Sequence, residues 1–253
     1  MDLANRYFHQ NKLNLAKYEY EKVLDIAPNN GRAYFSIGEI YQKQGALNKA
    51  ITKYEKSIAL NPDFVQAYLN LGVIYSNQEK IEDAIIQFER IIHLSPETVQ
   101  AYSNLAVAYQ KLGRLEDAVV LLKKSIEIDS GFVQAYYNLA LVYRELSQIE
   151  KAIEKLEQVV RIAPDHVEGH FGLGVIYHQQ GKTKDALAKF EQTISYAPDF
   201  APAHYNLGVI YRQQGKLEEA ITTFQRSIQI DPRFIQSNYE LGLVLHQRGK
   251  LEE

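Results

Sequence analysis

Apolar residues in this chain fall at helical spacing, in two kinds of segment that alternate along its length. Within residues 201–234, Tyr205, Leu207, Val209, Ile210 and Tyr211 give a first segment apolar on two flanks, one wider than the other. Ile221, Phe224, Ile228 and Ile230 form the single stripe of a second segment. Spacings of three and four are those of helices buried along one side. Between the two, Gly215 takes the place just after a helix end, where a positive φ costs glycine little. Lys216-Leu217-Glu218-Glu219-Ala220 opens the second helix with acids in its first turn, where the helix dipole favours them. Pro232 ends it, having no N–H to donate and clashing with the turn before it. No stretch has the period-two alternation of a strand, so the pattern predicts pairs of helices and little else.

The same layout returns every 34 residues. Proline stands at Pro28, Pro62, Pro96, Pro164, Pro198 and Pro232, with Ser130 in the one skipped place. Tyr7, Tyr41, Tyr75, Tyr109, Tyr143, Tyr177 and Tyr211 form an unbroken row, as do Ala16, Ala50, Ala84, Ala118, Ala152, Ala186 and Ala220. Glycine recurs at 38, 72, 174, 208 and 242, and again at 45, 113, 181, 215 and 249. A fixed period of this size means a stacked array, in which each unit buries its apolar face on its neighbours. With Gly31 as position 1, complete repeats span 31–64, 65–98, 99–132, 133–166, 167–200 and 201–234. Residues 1–30 and 235–253 are partial repeats, so the whole chain, 1–253, reads as a single array. Small residues at positions 8 and 20 suit the crossing of two antiparallel helices, and aromatics at 4, 11 and 24 fill the space around it. Packing alone accounts for the Tyr, Ala and Gly rows.

Composition narrows the chemistry. The chain has no Cys, which excludes disulfides, thiolate metal sites and cysteine nucleophiles. Its 28 Lys+Arg against 31 Asp+Glu give a net charge of −3, without the basic face that nucleic acid requires. No apolar run approaches the roughly 18–20 residues of a membrane span, and residues 1–30 lack a signal-like stretch. Neither a nucleic-acid nor a membrane partner is expected, and the cytoplasm is the expected compartment.

Tyr68, Leu71, Gly72, Tyr75, Ala84, Phe88 and Pro96 together resemble the tetratricopeptide repeat signature, and the resemblance covers the whole chain. Departures are mild. Tyr, His or Asn stands at position 4 in place of Trp, Ala106 and Ala140 replace Gly, Leu122 and Leu156 replace the aromatic, and Ser130 replaces Pro. The resemblance implies an all-α, right-handed superhelical solenoid of antiparallel helix pairs. Its first helices would line a concave groove that commonly holds a peptide or partner protein, and nothing in the motif is catalytic.

On that reading positions 2, 5, 6, 9, 12 and 13 face the groove. Position 6 carries Asn70, Asn104, Asn138 and Asn206, whose carboxamides can each offer a donor and an acceptor to the backbone of an extended chain. Such a ladder reads main chain more than side chain. A polar face also needs no ligand to be polar, so the row is equally compatible with solvation. Positions 5 and 9 add an apolar strip, with Tyr137, Phe171 and Tyr205 at the first and Val73, Val107, Val175 and Val209 at the second. An exposed apolar patch of more than a few hundred Å² marks an interaction site, and partial burial between repeats is expected to reduce this one. Glutamines at positions 2 and 13 make the rim polar, and Arg144 and Arg212 are among the few charges. The lysine that begins the carboxylate clamp of some family members is missing at position 5, which speaks against the capture of a C-terminal tail.

Repeat 167–200 departs most. Gly169, Gly172 and Gly174 all lie in its first helix, where each costs about 0.5–1 kcal/mol relative to Ala. Gly172 removes the ladder's side chain between Asn138 and Asn206, leaving either a notch beside Phe171 for a bulky ligand side chain or a softer joint.

Other constellations carry less. His166, His170 and His204 suggest a metal only at first sight, because the last two occupy a packing position and a site needs three or four converging ligands. Gly172-Leu173-Gly174 follows no strand and lacks the third glycine of a nucleotide loop. No nucleophile, base and orienting group stand together. The expected function is therefore a non-enzymatic scaffold, without cofactor or metal, that binds an extended polypeptide. A substrate-recruiting arm of a larger enzyme, such as a protein glycosyltransferase, and a homo-oligomeric assembly module are the alternatives. Both ends fall inside a repeat without a capping element, from which a piece of a longer chain and end-to-end self-association are expected.

Overall fold

The computed structural model describes residues 1–252, with side chains for residues 1–249. Its described residues are helical throughout, with no strand. The helices form two compact units, residues 1–132 and residues 133 onward, and the division falls at a repeat boundary.

The first unit contains α1 (Asp2–His9), α2 (Leu13–Ile26), α3 (Gly31–Lys43), α4 (Leu47–Leu60), α5 (Val65–Asn77), α6 (Ile81–Leu94), α7 (Val99–Lys111) and α8 (Leu115–Ile128). The second contains α9 (Val133–Glu145), α10 (Ile149–Ile162), α11 (Val167–Gln179), α12 (Thr183–Tyr196), α13 (Ala201–Gln213), α14 (Leu217–Ile230) and α15 (Ile235–Glu252). From α3 on, every odd-numbered helix starts at position 1 of the 34-residue frame. Within a unit each helix packs on its chain neighbours, first within its own repeat and then across to the next.

The turn inside each repeat explains the glycine row at position 15. Gly45, Gly113, Gly181 and Gly215 have φ between 71° and 74°. In the turn at Gly113, its N–H donates to the Gln110 carbonyl (2.9 Å) and the Arg114 N–H donates to the Tyr109 carbonyl (2.9 Å). This is the pairing that closes a helix end through a left-handed residue. Where the row lacks glycine the backbone does not change, for Asn11, Glu79 and Ser147 hold φ values of 57°, 60° and 58°. At Gly249 the row stops marking a turn. α15 runs through it without a break.

The glycine row at position 8 has a different cause. A methyl added at Gly72 would lie 2.6 Å from the Phe88 ring, at Gly208 2.6 Å from Phe224, at Gly174 2.7 Å from Phe190, and at Gly38 2.7 Å from Tyr54. Each of these aromatics at position 24 therefore presses against the backbone of its partner helix and is buried. Among the complete repeats, the two with Ala at position 8, Ala106 and Ala140, are the two with Leu at position 24, Leu122 and Leu156, whereas the partial repeat at residues 1–30 has Ala4 and Tyr20 in these places. In those two complete repeats the added methyl and the lost ring compensate each other. Every Ala of the position 20 row is fully buried.

Position 11 is not simple core. In both units its tyrosines are mostly half-buried. Tyr75, Tyr109 and Tyr177 donate through their hydroxyls to Glu55 (3.2 Å), Glu89 (3.2 Å) and Glu157 (3.3 Å) of the preceding second helix. Lys80, Arg114 and Lys182 stand over the same rings at 5.7, 3.9 and 5.7 Å, an arrangement that attracts a cation to the ring face. Burial first, and then Glu55, push the Tyr75 hydroxyl up to about 12.

A candidate peptide-binding face on the first helices

The histidines are structural. His170 Nε2 lies 2.8 Å from the Pro164 carbonyl and His204 Nε2 lies 2.9 Å from that of Pro198. The Tyr68 hydroxyl makes the same bond to the Pro62 carbonyl at 3.1 Å, so position 4 is a packing place whose polar tip ties one repeat to the turn before it. His166 caps α11, its Nδ1 accepting from the Gly169 N–H at 3.0 Å. Among the described residues, no three His, Asp or Glu side chains converge as a metal site would require.

In the first unit, α5 brings Asn70 and Val73 to one face, and α7 does the same for Asn104 and Val107. All four are half-buried. Asn70 is not free. Its Nδ2 donates to the Tyr54 hydroxyl (3.1 Å), which itself donates to Gln42 Oε1 (2.6 Å), while its Oδ1 accepts from Gln66 (3.4 Å). Burial raises the Tyr54 hydroxyl above its ordinary range, with Asn70 opposing. Glu39 interrupts the apolar row on α3. Burial pushes its carboxyl upward, with Lys43 working the other way.

In the second unit, Asn138 is 7% exposed and its Oδ1 accepts from Gln134 at 2.9 Å. Asn206 Nδ2 donates to the Pro202 carbonyl at 2.8 Å. The carboxamide row is thus partly committed to the fold, and Asn138 is part of the core. Tyr137, Phe171, Val175, Tyr205 and Val209 remain half-buried, neither core nor free surface. Tyr239, Leu243 and Ile235 of α15 are 65%, 38% and 75% exposed.

Gly172 lies at a cavity of about 210 Å³. Tyr137, Leu141 and Arg144 of α9, Leu156 of α10, and Glu168, Phe171 and Val175 of α11 complete its walls. Its origin lies in two positions sixteen residues apart, since the side chain at position 24 faces position 6 of the following helix. In the first unit Tyr54 meets Asn70 in this way. In the second unit the corresponding pairs are Phe190 with Asn206 and Phe224 with Glu240, whereas Leu156 faces only Gly172. This pairing holds the smallest side chains of the set, and the missing volume is the cavity. The sequence displayed both departures, but only their juxtaposition on α10 and α11 makes them a site, with Leu156 its unrecognised wall.

Two repeats further on, the place is filled. Arg212 Nε lies 2.9 Å from Glu240 Oε2, an ion pair whose N–H is not aligned for a hydrogen bond. The Glu240 side chain is 14% exposed. Tyr205 and Tyr137 stand in equivalent places beside Arg212 and Arg144. Burial raises both hydroxyls, with Glu240 and Glu168 adding to the shift and Arg212 and Arg144 opposing it.

Family models described as TPR repeat match residues 4–45, 43–79, 140–181, 176–211 and 210–249, and models described as tetratricopeptide repeat match 65–98, 99–132 and 121–154. No curated protein matches the chain in sequence. Among solved structures, the chain is similar to MamA (26% identity over 66% of this chain and 97% of that one, TM-score 0.58). YrrB, described as a TPR protein with an unusual peptide-binding site, has 22% identity over 74% of this chain and 96% of that one, with a TM-score of 0.56. A tetratricopeptide repeat protein from Parabacteroides merdae has 17% identity over 96% of both chains, with a TM-score of 0.75. No helix among the described residues is long and apolar enough to cross a membrane.

Proposed function

We propose that this chain, which belongs to the tetratricopeptide repeat family of protein-interaction scaffolds, holds an extended polypeptide along the face of its first helices. The observation that carries the reading is the half-buried strip at positions 5, 6 and 9. There aromatic and aliphatic groups, Val73 and Val107 in one unit and Tyr137, Phe171, Val175, Tyr205 and Val209 in the other, lie beside carboxamides. Apolar area with a few convergent polar groups is what a ligand surface needs, because the first supplies affinity and the second orientation. YrrB, a protein of this fold, is described as having a peptide-binding site. The role is binding rather than catalysis. Carboxamides, aliphatic groups and arginine suit holding a chain, and a cytoplasmic setting suits a face without disulfides.

The test uses a peptide selected on the wild-type protein from a random library and measured by fluorescence anisotropy. Replacing Asn70, Asn104 and Asn206 together by Ala is expected to weaken binding about tenfold or more, as the loss of several modest hydrogen bonds requires. Asn138 is left intact because its truncation would disturb the core. Unchanged affinity, with unchanged helicity by circular dichroism, would remove the carboxamides from the site.

A further inference from the structure

We propose that the cavity at Gly172 is a receptor for a glutamate side chain of the bound polypeptide, with Arg144 as its counter-ion. This rests on the reading that the first-helix face binds a polypeptide. Within the second unit one constellation occurs twice. Tyr137 and Arg144 on α9 repeat as Tyr205 and Arg212 on α13, each seven residues apart, with Leu141 and Val209 between them. In the second copy Glu240 reaches back from α15 and sets its carboxylate 2.9 Å from Arg212. In the first copy the residue equivalent to Glu240 is Gly172, and a cavity of about 210 Å³ stands in its place. The protein itself therefore displays the chemistry that fits, an acidic side chain whose stem lies on apolar walls and whose oxygens meet a guanidinium.

Size and charge agree with that occupant. A cavity of about 150 Å³ already admits a benzene-sized guest, so this one accommodates a glutamate stem without rearrangement. Leu156, Phe171 and Val175 give that stem an apolar lining. Among the described residues no carboxylate lies within ion-pair distance of Arg144, in contrast to Arg212. Glu168 also lines the cavity, and its carboxylate is 3.6 Å from His166 Nδ1. Its charge opposes an incoming acid, so Arg144 must supply the selectivity. An arginine–carboxylate contact in a partly closed site is stronger than a neutral hydrogen bond, which sets the expected discrimination against glutamine at about fivefold to tenfold.

The experiment titrates the full chain with N-acetyl-glutamate N-methylamide and with its glutamine and leucine counterparts, following the Gly172 amide and the Arg144 Nε–H by NMR. A saturable shift at both signals is expected with the glutamate probe, and weaker binding by about that factor with the other two. Arg144→Gln should erase the preference. Gly172→Glu should fill the cavity from within, as Glu240 does, and abolish the response. Its added Cβ would meet Leu156 Cδ1 at 3.2 Å, which asks that side chain to shift by a few tenths of an ångström. Equal binding of the glutamate and glutamine probes, no saturable shift with glutamate, or a Gly172→Glu protein that still responds would each overturn the proposal. Because the probes are single residues, their failure beside an intact peptide footprint removes only this receptor, whereas their success without such a footprint removes only the polypeptide reading.

Discussion

Gly72→Ala is expected to destabilise the first unit by about 1–3 kcal/mol, against the usual gain of roughly 0.5–1 kcal/mol for this change within a helix. The new methyl would lie 2.6 Å from Phe88 Cε1 and 2.9 Å from Cζ. Phe88 is 1% exposed and packed on all sides, so it cannot swing away. The protein already contains the remedy, because the repeat with Ala106 has Leu122 in place of the ring. Gly72→Ala combined with Phe88→Leu should therefore recover most of the loss. Phe88→Leu alone should be destabilising, since it leaves a void above Gly72. Chemical denaturation of the three variants closes this cycle. A Gly72→Ala protein at least as stable as wild type would show that position 8 does not act through ring contact.

The second large effect concerns the turns. Glu79 and Ser147 hold a left-handed backbone that costs a residue with a side chain about 1–2 kcal/mol, and Gly occupies the same place in four other repeats. Glu79→Gly and Ser147→Gly are each expected to stabilise by about 1 kcal/mol, because relief of the φ strain exceeds the added flexibility of the unfolded chain. They lie in different units and should add. Nothing lies within 4 Å of a side chain added at Gly113 or Gly181, so the converse change to Ala isolates the backbone cost from any clash. Denaturant midpoints of the four single variants measure the effect, and opposite signs for the two directions are the expected result.

These two rows illustrate what the sequence makes legible. The frame of helices was readable because its punctuation is local. A glycine that closes a helix and a proline that stops the next act within a few residues of themselves, so their recurrence locates every pair. The reason for the position 8 glycines was less visible, since it depends on which ring sits across the helix pair. Tyrosine at position 11 reads as core from its spacing. Its half-exposed ring, bonded to a glutamate of the preceding helix and covered by a cation, emerges only when neighbouring repeats are stacked. The asparagine row shows the same limit. A carboxamide every 34 residues suggests a free ladder, yet Asn70 is held by Tyr54 and Asn138 is buried. At Gly172 the missing side chain was conspicuous, but the cavity needed Leu156 as well, sixteen residues earlier on another helix. Periodicity reveals what each position is, whereas contacts between positions depend on the register of the stack.

If the first-helix face holds an extended polypeptide, hydrogen exchange measured with and without a library-selected peptide will register it there. Bound peptide should slow exchange in the odd-numbered helices, α5 and α7 in the first unit and α9, α11 and α13 in the second. The even-numbered helices α6, α8, α10, α12 and α14 should remain unchanged. Protection confined to the even-numbered helices would contradict the claim.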